Sequence, residues 1–279
     1  MIRVGEDAPL RLSYERRDER RGRGEPLLLI HGAGSYRRVW DPVLDRLAVE
    51  RDVISVDLPG HGDSPLVEEG TPPTPANFAR LMVSFLRELG MESAHVVGNS
   101  SGGWTALEIA KLGHARSVTA FSPAGLRRKG TPRQIIWAFR FGHILARQLG
   151  WAAPLLLATG PERTLLLGHF FGRPWKMPVD AAVGAVRNFA CSPGLWPHIK
   201  ATSKERFSGG RKIEVPVTVA WGSREVLLLP GQARLRQELP PQTRWIPLPG
   251  CRHVPTYDDT TLVARVILEG SDGAVGGRR

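Results

Sequence analysis

Ser100 stands between Gly98 and Gly102 in the run Val96-Val97-Gly98-Asn99-Ser100-Ser101-Gly102-Gly103. Ahead of it, Ala94 to Val97 is a short apolar run of strand type; behind it, Trp104 to Ala110 has helical composition. A serine at such a junction, with a glycine two residues away on each side, reads as a nucleophile elbow. The tight turn strains the serine backbone and leaves no room for a Cβ at the flanking positions. It also lifts the hydroxyl clear of the sheet, at the positive end of the following helix. Ser101 is the rival nucleophile, but its own frame opens on Asn99 rather than on glycine.

A serine hydroxyl is a poor nucleophile near neutral pH and needs a base. His253, in Pro249-Gly250-Cys251-Arg252-His253, follows the last strand-like segment. The base needs a carboxylate to hold its tautomer and stabilise the imidazolium. Glu225, in Trp221-Gly222-Ser223-Arg224-Glu225, follows the strand before that. Negative charge developing on a substrate oxygen needs fixed donors. The N–H groups of Ser101 and of Ala33, in His31-Gly32-Ala33-Gly34, can supply them, with Gly32 and Gly34 permitting close backbone approach.

These groups need a scaffold that brings distant loops to one edge. Strands are expected at Leu10–Tyr14 (an edge hairpin strand), Pro26–Ile30, Asp52–Asp57, Ala94–Val97, Ser117–Phe121, Val215–Trp221 and Thr243–Leu248. Between them fall helices at about Arg38–Ala48, from Thr74-Pro75 to about Leu89, behind Ser100, from Thr131-Pro132 to about Leu149, at Gln232–Leu239, and from Asp259 through Leu268. Such alternation implies an α/β fold, a mainly parallel sheet covered by helices on both faces. Sites in these sheets gather at the carboxyl ends of strands, where Ala33, Ser100, Glu225 and His253 all fall.

The 279 residues, 42% hydrophobic, are enough for a sizeable core. Two cysteines imply no disulfide framework. No leader-like segment or membrane-spanning apolar run is visible, so a cytoplasmic enzyme is expected. The eight histidines are scattered, and neither a metal site nor a cofactor is expected. Oligomeric state is not readable. The net charge of +11 is local: between Leu126 and Lys212 there are 15 basic and 3 acidic side chains, against 23 and 24 elsewhere. No RNA motif or zinc-finger spacing accompanies that excess, so nucleic acid is not an expected partner. A solvated basic face is the first reading, and attraction of anionic substrates or surfaces the second.

His31–Gly34, Asp57–Ser64 (Asp-Leu-Pro-Gly-His-Gly-Asp-Ser), Gly98–Gly103 and Gly250–His253 together resemble the motifs of the α/β-hydrolase superfamily. The resemblance spans about residues 10–125 and 213–268. It implies an α/β-hydrolase core at 1–125 and 213–269, a helical cap at 126–212 inserted after the sixth strand, and a disordered tail at 270–279. It also implies Ser100 as nucleophile, His253 as base, and Ala33 and Ser101 as oxyanion donors. One departure is Glu225, where the family usually has Asp. Another is Arg252, in place of a common glycine, read as solvent-facing. Asp258 and Asp259 are read as caps of the closing helix. His31 and His61 are taken as loop braces, Trp40 and Trp104 as packing residues, and Cys251 as a small buried residue.

In the cap, Arg133, Arg140 and Arg147 recur every seven residues and form one stripe, expected to face water. Lining the entrance is the alternative, favouring a substrate carboxylate or a phosphate-bearing carrier. The apolar residues around the stripe predict an apolar pocket beneath the cap, with Gly32, Gly34, Trp137, Phe141 and Phe170 contacting substrate. The reaction expected is hydrolysis of a carboxylic ester or thioester of a fairly apolar small molecule. Carbon–carbon bond hydrolysis of ring-cleavage products is the rival, and a non-catalytic binding protein is the other class. Epoxide hydrolysis and dehalogenation are disfavoured, because relatives with those activities place Asp where Ser100 stands.

Overall fold

Leu27, Leu28, Leu29 and Ile30 are all fully buried, yet they belong to two separate cores. Leu28 and Ile30 join the cluster around Phe78, Trp104 and Phe207, whereas Leu27 and Leu29 join the one around Trp40, Phe121 and Val263. Successive strand residues point to opposite faces, so a continuous apolar run is what a sheet covered on both sides demands. Each such side chain contributes roughly 1.5–3 kcal/mol of burial. The structure, a computed structural model, describes residues 12–17, 24–128, 130–131, 133–229 and 235–272.

Among the described residues the sheet has seven strands: β1 (Tyr14–Arg17), β2 (Glu25–Ile30), β3 (Arg51–Val56), β4 (Ala94–Asn99), β5 (Ala115–Phe121), β6 (Val217–Gly222) and β7 (Arg244–Leu248). Their order is β1-β3-β2-β4-β5-β6-β7, and only β1 runs antiparallel to its neighbour. The helices are α1 (Asp41–Ala48), α2 (Pro75–Glu88), α3 (Ser101–Lys111), α4 (Arg133–Leu149), α5 (Ala153–Leu156), α6 (Gly160–Leu167), α7 (Val179–Cys191), α8 (Leu195–Thr202) and α9 (Thr260–Ser271). Register brings the ends of the strands level, with Ile30 beside Gly98, Asn99 beside Phe121 and Gly222 beside Leu248. The loops that follow β2, β4, β6 and β7 therefore emerge at one edge.

Several expectations shift. The first strand pairs with β3 and is pinned there by Arg16, which donates to Asp52 at 2.6 and 2.8 Å. It begins at Tyr14, and Leu10 lies outside the described residues. Among the described residues five strands precede the helical insert, one of them an edge strand ahead of β2. The helix expected from Arg38 opens as a 3-10 turn (Arg37–Trp40), and Pro42 then sits in the first turn of α1. Of the Gln232–Leu239 helix, 232–234 are outside the described residues and Arg236–Glu238 is a 3-10 turn. The closing helix continues to Ser271, past the expected tail boundary; residues 273–279 are not described.

Asp259 caps α9 by accepting from Leu262 N–H at 2.9 Å. Asp258 does something else: its carboxylate accepts from the N–H groups of Gly172, Arg173 and Arg252, tying the insert to the loop before His253. Arg252 also reaches the insert, donating to the Gly168 carbonyl rather than facing solvent. His31 and His61 are fully buried braces, and His31 Nε2 accepts from Leu58 N–H at 2.9 Å.

Candidate active site

The turn after β4 holds Ser100 at φ 56°, a strained conformation for a residue with a Cβ. A Cβ at Gly98 would stand 2.1 Å from the Gly102 carbonyl oxygen, and one at Gly102 would stand 2.2 Å from that of Ile30. Both glycines are thus required by close backbone approach. Ser101 begins α3, so its N–H has no partner within the helix. Gly32 packs directly on the turn, since a Cβ there would be 3.1 Å from Ser100 Cβ. Ala33 follows it and lines the same cavities as Ser100.

His253 and Glu225 meet across two loops that are stitched together. Arg224 N–H donates to Cys251 O at 3.0 Å, and Gly250 N–H donates to Ser223 Oγ at 2.8 Å. A Cβ on Gly222 would stand 2.4 Å from the carbonyl oxygens of both Cys251 and Arg252, so the β6 loop needs glycine to come this close. His253 Nδ1 and Glu225 Oε2 are 2.7 Å apart, and both residues are buried. Burial alone would raise the Glu225 carboxyl; the adjacent His253 and the N–H groups of Leu227 and Leu228 outweigh it and hold the group at about 2. Asn99 Nδ2 donates to the His253 carbonyl at 2.8 Å, fixing the base's loop to the nucleophile's strand. Glutamate reaches the imidazole without difficulty, despite its extra methylene.

Ser100 and His253 line the same two cavities. Among the described residues no hydrogen bond joins Ser100 Oγ to the ring, a contact that often tightens only with substrate in place. The larger cavity, about 250 Å³, is apolar and walled by Phe139, Leu149, Leu157, Phe170, Phe189 and Val254 among others. Gly32, Gly34 and Phe170 line it. Trp137 and Phe141 do not: they are 67% and 70% exposed and point away. Phe139, two residues from either, takes their place because it lies on the opposite face of α4. A groove of about 650 Å³ lined by Arg38, Arg173 and Asp258 contains none of the residues discussed as catalytic.

One residue of the site was not singled out from the sequence. His198, on α8, accepts from Ser101 Oγ at 2.6 Å through Nε2 and donates from Nδ1 to the Pro73 carbonyl at 2.6 Å. Burial pushes it down to about 4. Its ring stacks on Phe78 with centroids 5.2 Å apart. Cys251 is buried, and its thiol is pushed up to about 12, chiefly by burial.

A family model described as "Alpha/beta hydrolase family" matches residues 27–266. The chain belongs to the alpha/beta hydrolase family. It is 41% identical over 118 residues to the dihydrolipoyllysine-residue acetyltransferase component of an acetoin cleaving system from Cupriavidus necator, covering 42% of this chain and 30% of that one. The chain thus matches under a third of that relative's length. It is 27% identical over 249 residues to Lipase 3 of a Moraxella species, covering 84% of this chain and 73% of the lipase. Among solved structures, a bacterial membrane phospholipase A superposes with TM-score 0.71 at 22% identity, covering 94% of this chain and 84% of that one. That likeness speaks for the alpha/beta hydrolase fold. No described helix is long and apolar enough to cross a membrane.

Proposed function

We propose that this alpha/beta hydrolase is a serine hydrolase that cleaves a carboxylic ester or thioester of a fairly apolar small molecule through an acyl-enzyme on Ser100. The observation that carries the reading is the convergence of Ser100 and the His253–Glu225 pair beside an apolar cavity. With Nδ1–H directed to Glu225, His253 Nε2 is left as the proton acceptor. Ser100 Oγ attacks the carbonyl carbon as its proton passes to Nε2, and Glu225 stabilises the imidazolium. The N–H groups of Ala33 and Ser101 receive the oxyanion. Collapse of the tetrahedral intermediate breaks the bond to the leaving oxygen or sulfur, which takes the proton from His253. Water, deprotonated by the same nitrogen, then releases the acyl group and restores Ser100.

Between β5 and β6, helices α4 to α8 act in this reading as a cap, supplying Phe139, Leu149, Leu157, Phe170 and Phe189 to the cavity and excluding water. Labelling of the intact protein with a fluorophosphonate probe, combined with a panel of p-nitrophenyl esters, tests the proposal. Stoichiometric modification of Ser100 and ester turnover are expected. A folded protein that neither labels nor turns over any ester is a binding protein, and one that cleaves only a vinylogous diketone is a carbon–carbon hydrolase.

A further inference from the structure

Ser100 also opens onto a second cavity of about 80 Å³, lined by Ser101, Trp104, Arg127, Thr131, His198 and Thr202 among others. Arg127 is only 6% exposed. Its Nη2 donates to the carbonyls of Thr202 and Glu205 at 2.7 and 3.2 Å, and its guanidinium carbon stands 5.8 Å from the Trp104 ring centre. Nε is buried and has no hydrogen-bond partner. Burial lowers the group to about 10, and no carboxylate offsets that effect. The side chain is therefore a cation at neutral pH that lines a cavity with Ser100 and, among the described residues, has no counter-charge. Leaving a buried charge unpaired costs stability, so an arrangement that persists calls for a partner that arrives from outside.

We propose that Arg127 is the recognition group for a carboxylate carried on the substrate. The proposal deepens, and rests on, the serine hydrolase reading. The two cavities share Ala33, Ser100, Phe139 and His253, so a substrate seated at Ser100 extends one arm into each. The arm in the large cavity is apolar. The arm in the small one is short and ends in an anion that the Arg127 N–H groups not already given to Thr202 and Glu205 can receive as charge-assisted hydrogen bonds. The substrate class is thus an ester or thioester with an apolar portion on one side and a short carboxylate-bearing portion on the other.

The test compares mono-4-nitrophenyl glutarate with 4-nitrophenyl pentanoate, for the full chain and for Arg127→Met and Arg127→Lys. The wild type is expected to favour the anionic ester by about tenfold or more in kcat/KM, and Arg127→Met to reverse that preference, with Arg127→Lys between them. Should Arg127→Met fail to fold, the wild-type ratio decides alone: preference for the pentanoate overturns the assignment. Turnover of the neutral ester with no preference for the anionic one sinks this inference and leaves the serine hydrolase standing. Failure to turn over either ester or to label with fluorophosphonate removes both.

A different observation concerns the outer face of α4 and the 3-10 turn (Gly150–Ala152) that continues it. Arg133, Trp137, Arg140, Phe141, Ile144, Arg147 and Trp151 recur at helical spacing and are all exposed, Trp151 by 80%. Arg140 lies 5.9 Å from the Trp137 ring centre. Leu145 and Leu149 of the same helix, with Leu156 and Leu166, line the apolar cavity and are also 38–42% exposed, so they form its mouth. Exposed tryptophans flanked by arginines suit the boundary between lipid headgroups and acyl chains. A second copy would bring more of the same positive charge, since the insert carries 15 basic and only 3 acidic side chains. We infer that this face docks on an anionic bilayer surface, with the cavity mouth beside the lipid. Sedimentation with phosphatidylglycerol vesicles and with phosphatidylcholine vesicles tests it. At least tenfold stronger binding to the former is expected, with loss in Trp137→Ser/Phe141→Ser and weakening by salt. Equal binding to both vesicles, no binding, or a dimer in light scattering that the double variant dissolves would overturn it.

Discussion

Of two neighbouring serines, Ser101 is hydrogen-bonded to His198 and Ser100 shares two cavities with His253, and the two histidines differ in what stands behind the ring. His253 has a carboxylate at Nδ1, Glu225 Oε2 at 2.7 Å. His198 has a main-chain carbonyl at Nδ1, that of Pro73 at 2.6 Å. Both rings are buried, and both serines sit at the same turn. A carbonyl can fix a tautomer, but only a carboxylate supplies the full charge that stabilises an imidazolium. Burial accordingly drives His198 down to about 4 and leaves it a neutral acceptor at physiological pH. Pairing geometry alone does not make a general base; the charge behind the ring does.

The sharpest way to break that contrast is to remove each hydroxyl in turn. Ser100→Ala is expected to abolish fluorophosphonate labelling and to lower kcat by about 10⁶-fold, whereas Ser101→Ala keeps labelling. The opposite pattern would transfer the nucleophile to Ser101. Next in size is Glu225→Gln, which retains the shape but removes the charge and favours the wrong tautomer. Steady-state kinetics should show kcat lower by about 10⁴-fold with KM little changed. An unchanged kcat would make His253 no different from His198 and sink the argument above.

The carbonyl-backed histidine makes its own prediction, in stability rather than rate. Its folded-state pKa of about 4 lies below that of an ordinary histidine, about 6.5. Between those values the unfolded chain binds a proton that the folded chain refuses. Stability therefore rises with pH through this window, is full above about 6.5, and is lost as pH falls toward 4. Urea unfolding at pH 7 and pH 4.5 is expected to show the wild type losing roughly 2 kcal/mol more between the two conditions than His198→Gln. Equal losses would mean that His198 is not held neutral by the fold.

The places of Ser100, Glu225 and His253 were legible in the sequence because each follows a strand and inherits its position from the sheet. His198 was not, because it lies on a helix of the insert, 97 residues from the serine that it meets. The outer and inner faces of α4 were confused for a related reason. Phe139 and Leu149 on one side, and Trp137 and Phe141 on the other, are equally apolar, so periodicity alone does not say which side faces the cavity. The arginines at 133, 140 and 147 did mark the water side, and Trp137 lies between two of them. Asp258 reads as a helix cap from its position, yet Asp259 takes that role and frees Asp258 to bind N–H groups of the insert. What the sequence pattern conveyed was placement along strands; what it hid were contacts made between the insert and the core.

The smallest expected effect probes that hidden contact directly. Ser101→Ala keeps the main-chain N–H proposed to receive the oxyanion and removes only the hydroxyl that donates to His198 Nε2. The ring nitrogen is then left buried without a donor, which costs on the order of 1–3 kcal/mol in stability. Catalysis should fall by less than about tenfold, because neither the base nor its carboxylate is touched and the donor set is intact. A fall confined to kcat, with the melting temperature unchanged, would instead mean that the hydroxyl acts on the reacting atoms. Paired with a fall in stability and a near-normal rate, the variant would show that the second serine–histidine pair fastens the insert to the core beside the oxyanion donor. That outcome separates a pair built for proton transfer from one built to hold α8 over the turn at Ser100.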